Sequence, residues 1–218
     1  MILNNQQIIE TCQRGDILIS PFNEDQAQAA TYDFRIGKQG ATTSTKRIVN
    51  IEEIGYFVLE PGDFGVVTIF EEIRMGNQYS GRIGLRSKYA RKGLIATTGP
   101  QIDPGFHGRL IVGLTNLTPK RISLPYKDHL LSVEFHRLEH ATNKPYAGPY
   151  QDKLELGAEE IESIVETEGM ALSEVIKTLQ SLSSNVASLT IEVKWMKWII
   201  PIVITIGIAV IGVIVGLK

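Results

Sequence analysis

The spacing of hydrophobic positions changes along the chain, and each change marks a different kind of element. In residues 1–20, Ile8, Ile9 and Cys12 recur at helical intervals, and "GDILISPF" then reads as a turn and a short strand. From about Ala29 to Leu138 the pattern becomes a series of short β-type runs: "TYDFRIG", "KRIVNI", "YFVLEPGDFGVVTIFEEIRM", "GRLIVGLTNLT", "RISLPY" and "LLSVEFHRL". Gly, Pro, Asn and Asp separate them, and "EPGD" and "LTPK" are turn signals. Short strands so punctuated predict a mainly β domain, an antiparallel sandwich or barrel, over residues 1–138.

The polar stretch 139–155, "EHATNKPYAGPYQDKLE", predicts a linker. Residues 156–197 predict a helical stalk. Within it Leu172, Val175, Leu179, Leu182, Val186, Leu189, Val193 and Met196 alternate at spacings of three and four. That period of 3.5 is the coiled-coil spacing, and it favours self-association over a helix packed on its own domain. Trp198 to Leu217 then runs "WIIPIVITIGIAVIGVIVGL" without a charge. At ~1.5 Å rise per residue it spans about 30 Å, the thickness of a bilayer core. Trp195 and Trp198 stand at its entrance, and Lys194 and Lys197 flank it. These features predict one C-terminal transmembrane helix, a lipid bilayer as partner and a cytosolic N-terminal domain.

Composition removes several function classes. The formal net charge of −2 supplies no global basic field, so no nucleic-acid partner is expected. The single cysteine, Cys12, excludes an intrachain disulfide. The zinc deaminase signature H-x-E…P-C-x-x-C is absent, and the His136–His140 pair lacks further ligands, so no zinc and no directly ligated metal are expected.

Several motifs in order resemble the dCTP deaminase/dUTPase superfamily, and most closely its dCTP deaminase branch. "QAATYDFRIG" resembles the SYDLRLG-type motif, "FVLEPGDF" the FxLxPGEF strand pair, and "LRSKYARKGL" the GRSSLARLGL motif. "IDPGFHGRLIVGLTN" resembles IDPGFxGxITLELxN, and "KPYAGPYQ" echoes RPYxGKYQ. The resemblance covers about residues 1–151. It implies a distorted jelly-roll β-barrel that forms homotrimers, with pyrimidine deoxynucleotide sites (dCTP or dUTP) between subunits.

Site roles follow from the same resemblance. Asp103 matches the aspartate that orients the water and contacts the sugar, and Phe106 the aromatic beneath the deoxyribose. Arg86 and Ser87 match the phosphate-binding pair, and Lys88 replaces a family serine. Arg91 matches the arginine that supports the base and the catalytic water. Asp33 and Tyr146 complete the expected substrate-binding set, with Asp103, Arg91 and Ser87 as the catalytic set if turnover occurs. Mg²⁺ is expected to accompany a triphosphate.

The departures are equally specific. The family's proton-shuttling glutamate is replaced by Gly113, and Glu134 compensates only if the fold brings it to the site. Ser132 stands for a phosphate-contacting Gln and Pro149 for a Lys, and no Gly-rich lid follows. Two readings result. One is a membrane-bound nucleotide sensor or effector with altered catalysis. The other is an active enzyme for which dUTP hydrolysis is more plausible than dCTP deamination.

Overall fold

A computed structural model describes residues 1–97, 99–167, 178–179, 181–186, 188–190, 194–197 and 199. The chain divides into two compact units, Met1–Ser173 and Glu174–Lys218.

The first unit opens with α1 (Asn5–Gln13). It is closed at its start by a reciprocal cap: Gln7 N–H donates to Asn4 Oδ1, and Asn4 N–H to Gln7 Oε1. Then follow β1 (Ile17–Ser20), β2 (Tyr32–Thr42), β3 (Val49–Asn50), the one-turn α2 (Ile51–Ile54), β4 (Tyr56–Leu59), β5 (Phe64–Met75) and β6 (Tyr79–Leu85). After these come the one-turn α3 (Ser87–Ala90), β7 (Leu94–Ala96), β8 (Gln101–Ile102), β9 (His107–Asn116), β10 (Ile122–Pro125), β11 (His129–Arg137) and α4 (Ala158–Thr167).

The strands pair antiparallel in a sheet of order β7-β9-β5-β2-β11-β6-β8, with β1 also on β5 and β3 on β2, while β10 and β4 form a second small sheet. The mainly β expectation therefore holds. The alternation expected of a one-faced sheet does not hold on β2, where ten of eleven positions are buried or half-buried and Lys38 alone is exposed. β2 sits in the middle of the curled sheet and is covered on both faces, so even the polar Asp33 is buried. Tyr32, Phe34 and Ile36 on β2 pack into one core with Ile69, Val112 and Phe135.

The "EPGD" turn forms as the sequence predicts: Asp63 N–H donates to the Glu60 carbonyl, and Glu60 N–H to Asp63 Oδ2. "KRIVNI" is shorter as a strand than its pattern suggests, because Asn50 caps α2 through a 3.2 Å bond from Glu52 N–H.

Residues 139–155 follow the surface of the domain. Tyr146 N–H donates to the Pro104 carbonyl, Asp152 N–H to His107 and Arg109 N–H to Lys153. Gly108 and Lys153 form a parallel bridge. The strap then feeds α4. Leu156 and Ile164 are buried there with Ala41 and Val66, in a small cluster apart from the main core.

In the second unit the described stretches are helical. The described heptad residues Leu179, Leu182, Val186, Leu189 and Met196 are 52–59% exposed. Leu172, Val175 and Val193 lie outside the described residues, as does the expected membrane span apart from Ile199. Among the described residues no helix is long and apolar enough to cross a membrane.

Candidate active site

The turn "IDPGF" is built by local chemistry. Phe106 N–H donates to the Asp103 carbonyl, and Gly105 takes φ +83°, a left-handed conformation that costs a side-chain-bearing residue. A Cβ on Gly105 would also lie 2.5 Å from Pro145 of the strap, so glycine is required twice over. The strap returns the contact: Gln151 Nε2 donates to the Gly105 carbonyl at 3.2 Å. Tyr146 packs edge-on to Phe106, with ring centroids 5.6 Å apart.

These parts wall a cavity of about 440 Å³. Asp103, Phe106 and Tyr146 line it, together with Gln101, Arg109 and Gly113. Gln101 Nε2 donates to Asp103 Oδ1 at 2.5 Å, which fixes one oxygen of the carboxylate. Gly113 lies on β9 opposite Val66 of β5, and Thr97 N–H donates to its carbonyl at 2.9 Å. A Cβ there would meet Thr97 Oγ1 at 2.6 Å and the Phe64 ring at 3.2 Å. The cavity thus lacks a glutamate at this position, and neighbouring atoms occupy the start of the path such a side chain would take.

The second set of expected residues gathers elsewhere. Arg86 forms an ion pair with Asp33, whose side chain is 4% exposed. Ser132 Oγ donates to the other oxygen of Asp33 at 2.6 Å. Two residues expected to contact ligand, Asp33 and Arg86, therefore meet each other and Ser132, which stands at the lost Gln position, across β2, β11 and the end of β6. Lys88 Nζ lies 2.5 Å from Asp128 Oδ2, and the Tyr89 hydroxyl donates to the same oxygen. Burial raises the Asp128 pKa, but Lys88 and Tyr89 outweigh it, and the net value falls below the ordinary one. Ser87 and Arg91 lie at the two ends of α3 and are exposed. None of Asp33, Arg86, Ser87, Lys88 or Arg91 lines the cavity.

Glu134 is not brought to the cavity. It pairs across β11 and β6 with Arg82, and its carboxylate lies 3.5 Å from His136. Two other carboxylates are: Glu159 and Glu160, from α4. The sequence signal for them was weak, because acidic residues in a first turn suit the helix dipole wherever the helix docks. His107 stands between Asp152 at 2.5 Å and Glu72 at 2.8 Å. Asp152 foremost, then Glu72, raises its pKa above the usual imidazole value. Among the described residues no cluster of three or more His, Cys, Asp or Glu could hold a metal ion.

A family model described as dCTP deaminase-like matches residues 2–138. The chain belongs to the dCTP deaminase-like family. A dCTP deaminase of Thermococcus sibiricus is 34% identical over 156 residues, covering 72% of this chain and 95% of the relative. One from Pyrococcus abyssi is 33% identical over 138 residues, covering 63% and 88%. Among solved structures, the 2'-deoxycytidine 5'-triphosphate deaminase of Agrobacterium tumefaciens superposes with a TM-score of 0.54 at 19% identity. That match covers 77% of this chain and about half, 53%, of the other, and it shows the shared fold. For this dCTP deaminase-like chain, Gly113 lies inside the matched region.

Proposed function

We propose that this chain binds a pyrimidine deoxynucleotide of the dCTP or dUTP class in clefts shared between subunits of a homotrimer, and reports occupancy to a membrane without deaminating the base. The observation that carries this reading is Gly113. It lines the same cavity as Asp103 and Phe106, with Thr97 and Phe64 closed over it. A glycine cannot accept or deliver a proton, so the shuttle that ring deamination requires is missing.

The separation of the two residue sets supports a shared cleft. In this reading Phe106 lies beneath the deoxyribose, where an apolar ring disfavours a 2'-hydroxyl, and Asp103 contacts the sugar. Arg86, Ser87 and Lys88 of a neighbouring copy meet the phosphates, and Arg91 supports the base. A guanidinium and a hydroxyl suit phosphate oxygens. Mg²⁺ arrives as part of the triphosphate substrate. The exposed heptad positions of the second unit suit a stalk formed by three copies. The uncharged run 198–217 suits a single-pass anchor, with the β domain in the cytosol.

A second reading is an active enzyme. The names of the 34% and 33% identical relatives and the carboxylate of Asp103 in the cavity favour it. With Gly113 in place, Asp103 would orient a water toward a phosphorus, making hydrolysis the chemistry to seek.

The full chain in detergent, titrated with dCTP and dUTP in the presence of Mg²⁺, separates the two. Calorimetry reads binding, and product analysis reads ammonia, dUMP and pyrophosphate. Binding without product, by a particle of trimer mass, supports the first reading. Product that disappears in Asp103→Ala establishes the second. A monomer indifferent to every deoxynucleotide removes both.

A further inference from the structure

The helix that follows the β domain forms part of the cavity wall. Phe64, Val66 and Ile111 line the cavity, and the same residues pack in the small cluster that seats α4 through Leu156 and Ile164. Seated there, α4 presents Glu159 and Glu160 to the cavity. Glu160 is 6% exposed and fixed: Lys153 Nζ donates to it at 2.5 Å and Gly157 N–H at 2.7 Å. Glu159 lies 3.7 Å from the same Lys153, with its side chain 83% exposed.

Asp103, Glu159 and Glu160 therefore bring three carboxylates to the cavity, against Arg109 on its wall and Lys153 behind it. The excess is negative. With Glu160 paired to Lys153, the excess is about one charge, contributed by the exposed Glu159, so its effect on a ligand is strongest at low salt. For a nucleotide free of Mg²⁺, every added phosphate increases the repulsion.

Resting on the nucleotide-binding reading above, we propose that α4 is a charge filter. Docked, its carboxylates disfavour phosphate-rich ligands, so nucleosides and monophosphates are held in preference to triphosphates. A triphosphate binds at the expense of α4 docking. The small size of the cluster under α4 makes local release of the helix far easier than unfolding of the domain.

The test uses the full chain in detergent, titrated without Mg²⁺ with deoxycytidine, dCMP and dCTP, and with the uracil series. Glu159→Gln is the primary variant, because its exposed side chain can change without loss of the fold. It is expected to tighten dCTP and dUTP binding by roughly threefold to tenfold, with deoxycytidine unchanged and the gain shrinking as salt rises. Ile164→Ala, which loosens the docking, is expected to act in the same direction. Amide exchange over 158–167 is expected to quicken with dCTP and not with deoxycytidine. A Glu159→Gln protein that binds triphosphates no better than the parent, or dCTP that slows exchange in α4, overturns the filter and leaves the nucleotide reading intact. If neither protein binds any member of either series, both fall.

Discussion

The two motif regions, IDPGF and RSKYAR, are held in opposite ways. Around Asp103 the chain builds a cavity from a turn, an aromatic pair and a strap, mostly through backbone hydrogen bonds and apolar contact. Around Arg86 the contacts are ionic, and each of two cations already has a carboxylate within its own subunit: Asp33 for Arg86 and Asp128 for Lys88. The first region is shaped in a single copy. The second is a set of positioned charges, and Asp33 and Asp128 partly neutralise them before any ligand arrives. A pocket shape can come from one chain, whereas a phosphate cradle at this edge requires its cations to share their bonds with a newcomer.

The largest expected effect comes from removing a counter-ion. Asp33→Ala removes the buried partner of Arg86, whose side chain is itself 36% exposed, and frees Ser132; the loss is expected to be about 2–3 kcal/mol, below that of a fully buried pair, read from the urea midpoint. Gly113→Glu comes next. Its side chain must displace Thr97 and the Phe64 ring, so a loss of about 1–3 kcal/mol and no deaminase activity are expected. Gly113→Glu with Thr97→Ala relieves part of the crowding and should recover part of that stability. Ammonia released from dCTP by the single variant would show that the cavity accepts the carboxylate without repacking.

A smaller effect concerns the strap. His107 has its pKa raised in the folded state by Asp152 and Glu72, so the protonated ring is the form that stabilises. That contribution is fully present below the ordinary value of 6.5 and is lost as pH rises through the raised value. The parent should therefore exceed His107→Gln in melting temperature at about pH 6, and the gap should narrow by about pH 9. The smallest effect is Lys88→Ala. Its half-exposed pair with Asp128 is worth less than about 1 kcal/mol, and a larger loss of stability would break the contrast with Asp33.

What was legible in the sequence was local. The strand runs, the "EPGD" turn and the grouping of Asp103 with Phe106 depend on residues close together in the chain, where turn chemistry and periodicity act. Tyr146 joins that group through a motif echo in the strap. The meeting of Asp33, Arg86 and Ser132 was hidden, because the Ser132–Asp33 bond joins residues 99 apart and depends on the register of β11 on β2. The crowding at Gly113 was hidden for the same reason: Thr97 reaches it through the pairing of β7 with β9. Glu159 and Glu160 gave no sign of their position, since helix periodicity does not say which surface a helix will find.

The seat under α4 also sets where this protein can be shortened. A cut after residue 155 would take away Leu156 and Ile164 together and leave Ala41 and Val66 facing water. Such a stump would present a sticky apolar scar beside the cavity mouth, and its clumping would be easily mistaken for native assembly.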